Sequence, residues 1–218
     1  MNQKYSQFYD WYNRTLIEQV LASFEWRRIN GYFAPTRASA LTQVMELIPG
    51  GSTVSQGGSI TLDQCGIREA LKRRSDITFL DPYNPDLTRE QQLENRRLGL
   101  TSDVFLCGSN AITRDGILVN RDGMGNRVAA MCYGPKRVII VAGINKIVDD
   151  LDSAIIRIDD VAAPMNCERL DRDTPCRETL RCNDCVNSER ICAVTSIIER
   201  QGDPERMHVI LVNEHLGF

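Results

Sequence analysis

Four cysteines fall within 17 residues, at Cys176, Cys182, Cys185 and Cys192, in a polar stretch with few apolar side chains. Thiolates in such a run can wrap one tetrahedral metal centre, and Cys182-Asn-Asp-Cys185 can grip an ion from two positions of a tight turn. Structural zinc sites often carry two C-x-x-C knuckles, whereas this run has one. Its spacing also differs from the ferredoxin pattern C-x2-C-x2-C-x3-C. Two cofactors therefore stay open, a 4Fe–4S iron–sulfur cluster and Zn²⁺, and four cysteines on a single run lean slightly toward the first; disulfides or free thiols are the remaining alternative. Cys167, nine residues before Cys176, is a further candidate ligand. Cys65, Cys107 and Cys132 have apolar neighbours and read as core thiols.

A second set of reactive types gathers where apolar runs end in glycine and polar residues. Gly57-Gly58-Ser59-Ile-Thr61 follows one short strand and opens a helix. Its glycines let the backbone approach a phosphate or carboxylate, and Ser59 or Thr61 caps the helix or meets the ligand. Neither G-x-G-x-x-G nor a Walker A pattern is present. Farther on, Asn110, Asp122, Gly123 and Asn126 offer oriented hydrogen bonds. Arg127 and Lys146, the latter beside Asn145, offer charge for an acidic substrate. Singly these are turn residues or surface charges; their recurrence at successive strand ends marks a site. No nucleophilic triad is visible. His208 and His215 are the chain's two histidines, and Glu214 beside the second is a candidate carboxylate base.

The elements that must hold these residues follow from periodicity. Phe8, Tyr12, Leu16, Val20 and Phe24 recur every fourth residue, with Trp11 beside them, and predict a long opening helix packed by that stripe. A second helix is expected over 38–48, stopped by Pro49-Gly50-Gly51. Short apolar runs at 53–54, 77–80, 104–107, 117–119, 138–142 and 209–212 read as strands. Helical patterns fill 61–73, 88–98 and 146–158 between them, and Asp115-Gly116 reads as a hairpin turn. Alternating strands and helices imply an α/β fold with a mostly parallel or mixed central sheet and helices on both faces. One domain is expected over 1–218, with a helical N-terminal region at 1–50 and a cysteine-rich, metal-binding segment at 164–192.

Composition narrows the class. The formal net charge of -3 comes from 26 basic and 29 acidic residues without a basic block, so neither nucleic acid nor an anionic membrane is an expected partner. The N-terminal sequence lacks a basic region followed by an apolar run, and no stretch approaches the roughly 20 apolar residues of a membrane span. A cytoplasmic protein is expected, and in a reducing compartment clustered cysteines bind metal or do redox work more often than they form disulfides.

Specific motifs then point to a family. Asn110-Ala-Ile-Thr, Asp115-Gly, and Val119-Asn-Arg-Asp-Gly-Met-Gly-Asn-Arg-Val128 resemble the LUD (lactate-utilisation) domain. So do Gly134-Pro-Lys-Arg-Val, Ala142-Gly-Ile-Asn-Lys-Ile147, Ala163-Pro-Met-Asn166 and Ile210-Leu-Val-Asn-Glu-His-Leu-Gly217. The resemblance implies a fold similar to the superfamily of ribose-5-phosphate isomerase, glucosamine-6-phosphate deaminase and CoA-transferases. It also implies redox metabolism of a small hydroxy or keto acid such as lactate, with a redox partner subunit or a homodimer. The competing expectation is a non-redox enzyme or binding module for a phosphorylated or CoA-linked ligand, with structural zinc. An accessory subunit that docks through its cysteine segment is a third.

Overall fold

Runs of Val, Ile and Phe that are apolar on both sides of the strand require cover on both sheet faces, and the fold supplies it. The computed structural model describes residues 5–218, so the first four residues of the expected domain and of its N-terminal region lie outside the described residues. Six parallel strands form the main sheet: β1 (Asn30–Ala34), β2 (Thr53–Gln56), β3 (Thr78–Leu80), β4 (Val104–Cys107), β7 (Arg137–Gly143) and β10 (Met207–Val212). Their order is β1-β10-β7-β4-β2-β3. A smaller mixed sheet, ordered β8-β5-β6-β9, is built from β5 (Ala111–Thr113), β6 (Leu118–Asp122), β8 (Ile147–Val148) and β9 (Val194–Ile198). The expected hairpin joins β5 to β6 antiparallel, with Gly116 in the left-handed region at φ 86°.

Alternation along the strands divides the core. Phe105, Cys107, Val138 and Ile140 face Ile17, Val20 and Phe24 of α1 (Ser6–Trp26) together with Met131 of α6 (Asn126–Cys132). Leu106, Ile139 and Val141 face the opposite side, against Val44 of α2 (Arg37–Glu46), Leu62 of α3 (Ile60–Gln64) and Leu71 of α4 (Ile67–Arg73). Each such side chain is fully buried and contributes about 1.5–3 kcal/mol. The small sheet lays Ala111 and Val119 against Ala154 of α7 (Leu151–Arg157) and against Ile158. The exposed helix α5 (Arg89–Leu98) is held by a capping box between Thr88 and Gln91.

Several expectations are corrected. The 1–50 region is not wholly helical, because β1 pairs with β10 and forms an edge of the main sheet. The stripe on α1 packs only in its second half: Phe8, Trp11 and Tyr12 are exposed, while Val20 and Phe24 are buried. The helix expected at 61–73 is broken at Gly66, whose φ of 70° caps α4. The one expected at 146–158 begins instead with a 3-10 turn and β8, because the small sheet claims Ile147 and Val148 as a strand. Beyond α7 the chain runs through a π-helical turn into α8 (Ala163–Arg169) and then α9 (Pro175–Thr179). Cys65 and Cys107 are core thiols as expected, but Cys132 at the end of α6 is exposed.

Candidate functional site

The strand order reverses between β2 and β4: β3 lies on one side of β2, and β4 with the rest of the sheet on the other. In an open parallel sheet the chain leaving such strands splays apart and leaves a crevice at their C-terminal ends. A cavity of about 420 Å³ lies there. Its lining includes Gly58, Ser59 and Thr61 after β2 and Asn110 after β4. Asp122, Gly123, Asn126 and Arg127 enter from β6 and α6, and Lys146 from the turn after β7. Nine of the expected site residues thus share one cavity. Gly57 and Asn145 are not part of its lining; both act behind it.

Asp122 and Arg127 are held by each other. One Asp122 oxygen accepts from the backbone N–H groups of Arg127 and Val128, at 2.9 and 3.0 Å, and so ties down the start of α6. The other pairs with the Arg127 guanidinium at 2.7 Å, both side chains being about nine-tenths buried (11% and 10% exposed). The same guanidinium donates to Asn120 Oδ1 at 2.6 Å, to Asn110 Oδ1 at 2.8 Å, and to the carbonyls of Gly108 and Arg121. Gly57 leaves room for this side chain, since a Cβ there would stand 3.0 Å from Arg127 Cδ. The donors of Arg127 are therefore committed. It clamps the ends of β4 and β6 together and contributes its field, rather than a free fork, to the cavity.

Asn145 is also structural. Its side chain accepts from Leu216 N at 3.0 Å and donates to the Gly217 carbonyl at 3.3 Å, pinning the C-terminal residues against the end of β7. Gly143 permits this, since a Cβ there would meet the Glu214 carbonyl oxygen at 2.5 Å. Ser59 caps α3 by accepting from Leu62 N. Lys146 is different. It is buried (2% exposed), lines the cavity, and has no hydrogen bond or ion pair among the described residues. Burial, then the charges of Arg157 and Arg127, lower its pKa to about 7.

Other lining residues carried no signal in the sequence reading. The Tyr83 ring lies between the guanidiniums of Arg68 and Arg96, each 5.4 Å from its centroid. Its hydroxyl sits against Gly58, where a Cβ would be 3.0 Å away. Arg96 Nε is buried without an acceptor. Arg121 is paired with Asp159, Arg169 donates to Asn166 Oδ1 at 2.7 Å, and the exposed head of Arg172 has no side-chain partner among the described residues. Cations thus outnumber carboxylates around the cavity, which favours an anionic ligand. Arg121 lies within the Val119–Val128 motif, but Arg68, Arg96, Arg169 and Arg172 belong to no local motif, so nothing in their spacing announced them.

Two other candidates are placed elsewhere. Glu214 is corrected as a candidate base: its oxygens accept from the Arg37 backbone N–H at 2.8 Å and from Arg37 Nε at 2.7 Å, and these bonds lower its pKa. His208 is buried in β10, within 2.9 Å of the Tyr32 hydroxyl, and burial lowers its pKa.

The cysteine segment forms part of the cavity wall. Asn166, Arg169 and Arg172 line the cavity from its first half and Ile191 from its end. Gly123 lets the segment come close, since a Cβ there would be 3.1 Å from Ile191 Cα. Behind this wall Cys167 and Cys176 are buried with their sulfurs 3.7 Å apart. Cys192 lies within electrostatic reach of both Cys167 and Cys182. Cys182, Cys185 and Cys192 are half-buried. No three His, Cys, Asp or Glu side chains converge at metal-ligating distance among the described residues. Thiols are soft donors of the kind that iron–sulfur clusters and zinc take, but among the described residues only the Cys167 and Cys176 sulfurs are in contact, and burial keeps Cys167 neutral, its pKa pushed up to about 11.

Comparison with known proteins agrees with this architecture. The family model described as LUD domain matches residues 17–212. A DUF162 family protein from Deinococcus radiodurans superposes with a TM-score of 0.55, covering 92% of this chain and 98% of its own, at 12% identity. At that identity the likeness is one of fold. Ribose 5-phosphate isomerase from Plasmodium falciparum matches over 52% of this chain and 52% of its own, with a TM-score of 0.33 and 17% identity. 5-Methylthioribose 1-phosphate isomerase from Pyrococcus horikoshii OT3 matches over 75% and 51%, with a TM-score of 0.37 and 11% identity. No curated protein matches the chain. No helix among the described residues is long and apolar enough to cross a membrane.

Proposed function

The chain belongs to the LUD-domain family, and on that premise we propose that it binds a small anionic metabolite of the hydroxy- or keto-acid class, such as lactate, beside a redox metal centre. The observation that carries this reading is the shared wall. Asn166 and Ile191 line the cavity, and their immediate sequence neighbours are Cys167, whose sulfur touches that of Cys176, and Cys192. Cys176, Cys182 and Cys192 would hold the centre, with Cys185 or Cys167 completing the set. A 4Fe–4S cluster bound there would supply one-electron chemistry within a few side chains of the ligand. The protein's own residues would hold the substrate: the unpaired head of Arg172 takes the carboxylate, Lys146 borders its other end, and the Arg127 clamp fixes the walls. A reducing compartment such as the cytoplasm would keep the thiols available for metal.

Anaerobic purification followed by iron, sulfide and zinc analysis tests this reading. Iron and sulfide in equal amounts with visible charge-transfer absorption are expected. Colourless protein carrying one zinc would overturn the redox reading and favour a second one. That second reading is a structural zinc beside a site for a phosphorylated or CoA-linked ligand. It has a specific observation in its favour: a tetrahedral zinc with bonds of about 2.3 Å sets its sulfurs roughly 3.8 Å apart, and Cys167 and Cys176 stand at 3.7 Å. A thermal-shift panel of carboxylates and phosphate esters separates the ligand classes, because a bound ligand raises the melting temperature by mass action.

A further inference from the structure

A lysine that lines a polar cavity usually finds a carboxylate or a carbonyl oxygen, because a buried ammonium without a partner is costly. Lys146 finds neither among the described residues, although it is 2% exposed. The chain is not free to move it away. It is the last residue of the 3-10 turn Ile144–Lys146, fixed between β7 and β8, and Arg157 Nε holds that turn by donating to the Asn145 carbonyl at 2.9 Å. Gly217 closes over the amine: a Cβ there would stand 3.7 Å from Lys146 Nζ and 2.5 Å from Thr61 Oγ1, so amine and hydroxyl border one point of the cavity.

We propose that Lys146 is the nucleophile of this cavity and that its Nζ adds to the carbonyl carbon of a bound 2-oxo acid, forming an imine. The inference rests on the metabolite reading above and adds a covalent role for one side chain. In the step the nitrogen forms a bond to the carbonyl carbon and the carbonyl oxygen is protonated. The oxygen then leaves as water with the second amine hydrogen as a C=N bond forms. No oxidant or reductant is consumed. The Thr61 hydroxyl is placed to pass a proton to the departing oxygen. The carboxylate has an uncommitted cation of the lining to take it, the exposed head of Arg172.

The electrostatics agree. The charged groups that face the amine are Arg157 on α7 and Arg127 on α6, both cations; Asp122 on β6 is spent on Arg127. Burial and these two charges bring the amine to about 7, so much of it is unprotonated at neutral pH. An ordinary surface lysine is almost wholly protonated there. This is the environment that activates imine-forming lysines in general.

The test incubates the full-length protein with pyruvate and sodium cyanoborohydride and maps peptides by mass. A saturable adduct at Lys146, heavier by the oxo acid less one oxygen and absent from Lys146→Arg, is expected. Labelling confined to surface lysines would overturn the proposal. Competitive acetylation with acetic anhydride across pH reads the amine without substrate. A midpoint near 7 for Lys146 is expected, and one shared with the surface lysines overturns the proposal even if Lys146→Arg fails to fold. Thermal shift separates the two claims. Stabilisation by pyruvate without an adduct removes the nucleophile and keeps the metabolite site. A reactive Lys146 with neither adduct nor stabilisation by any 2-oxo acid removes the metabolite reading itself.

Discussion

Replacing Arg127 by Met should unfold the end of the sheet rather than merely weaken ligand binding, and the size of the effect follows from its contacts. The side chain is in a buried ion pair with Asp122, at 2.7 Å, and donates to two Asn side chains and two backbone carbonyls. Removing one partner of such a pair leaves an uncompensated charge and typically costs about 3–5 kcal/mol. Two features moderate this. Asn110 Oδ1 keeps the Arg121 N–H and Asn120 Oδ1 keeps the Asn110 N–H, so neither amide is stranded. The cavity also admits water to the Asp122 oxygens. A loss of about 3 kcal/mol is therefore expected, or roughly 6–12 °C in melting temperature for a domain of this size. Urea unfolding measures it, and Asp122→Asn with the double variant gives the coupling energy. Arg127→Lys should recover little, because an ammonium cannot reproduce the planar fork. A loss under about 1 kcal/mol, as for an exposed pair, would refute the clamp and return Arg127 to the role of a free ligand-binding residue.

Other perturbations should act as follows. Lys146→Met should raise stability at pH 7, since it removes an unpaired buried amine. The folded-state pKa of Lys146 is depressed from 10.5 to about 7, so between those values the unfolded chain binds more protons and stability rises with pH, by up to about 1.4 kcal/mol per pH unit; urea midpoints across pH 7–9 should show this slope in the parent protein and lose it in the variant. Phe24→Ala should cost about 3–5 kcal/mol as a core truncation, whereas Phe8→Ser should stay within about 0.5 kcal/mol by the same urea assay. In metal-free protein Cys132 should react with a chromogenic disulfide reagent first, while Cys65 and Cys107, buried and pushed up to about 11 and about 12, react only on unfolding. Fast labelling of Cys107 in folded protein would contradict the packing on that face of the sheet.

Much of the scaffold was written in local pattern. The strands at 104–107, 138–142 and 209–212 are continuous apolar runs because both sheet faces are covered, and β4, β7 and β10 include them. The hairpin was legible from Asp115-Gly116, since its turn needs the positive φ that Gly116 supplies. What failed depended on distant partners. Asn30–Ala34 becomes a strand because β10, some 170 residues later, offers it an edge. The turn at Lys146 is set by pairing of β8 with β5, which overrides a helical spacing of apolar residues. Phe8 and Tyr12 repeat at the helical period but meet no second layer, so periodicity alone overstated the packing. In the site, glycine and asparagine turns were visible by type. The difference between Arg127, whose donors are committed, and Lys146, whose Nζ is not, was invisible, because it lies in which acceptors the folded strands bring near. Tyr83, Arg68 and Arg96 come together from separate loops and helices, and no sequence spacing encodes that meeting.

The cysteine run and the polar cavity entered as two separate features of the chain, and the fold makes them two sides of one wall. Asn166, Arg169, Leu170, Arg172 and Ile191 belong to the cysteine-bearing stretch and also to the cavity lining. The stretch between Arg172 and Ile191 is mostly exposed and bears few buried apolar side chains, so apart from Cys176 it is ordered by local polar contacts such as Arg177 with Asp171 and Asn187 with the Asp173 carbonyl. A metal bound to these thiols would supply the missing order, because ligation to a loop of low intrinsic stability is itself folding free energy. Whatever fixes Cys167 and Cys192 then fixes Asn166 and Ile191, one residue away from each. Metal occupancy and ligand affinity are therefore expected to be coupled, and coupling of this kind is reciprocal. A ligand that seats against Asn166 should hold the metal more tightly by the same factor by which the metal tightens the ligand.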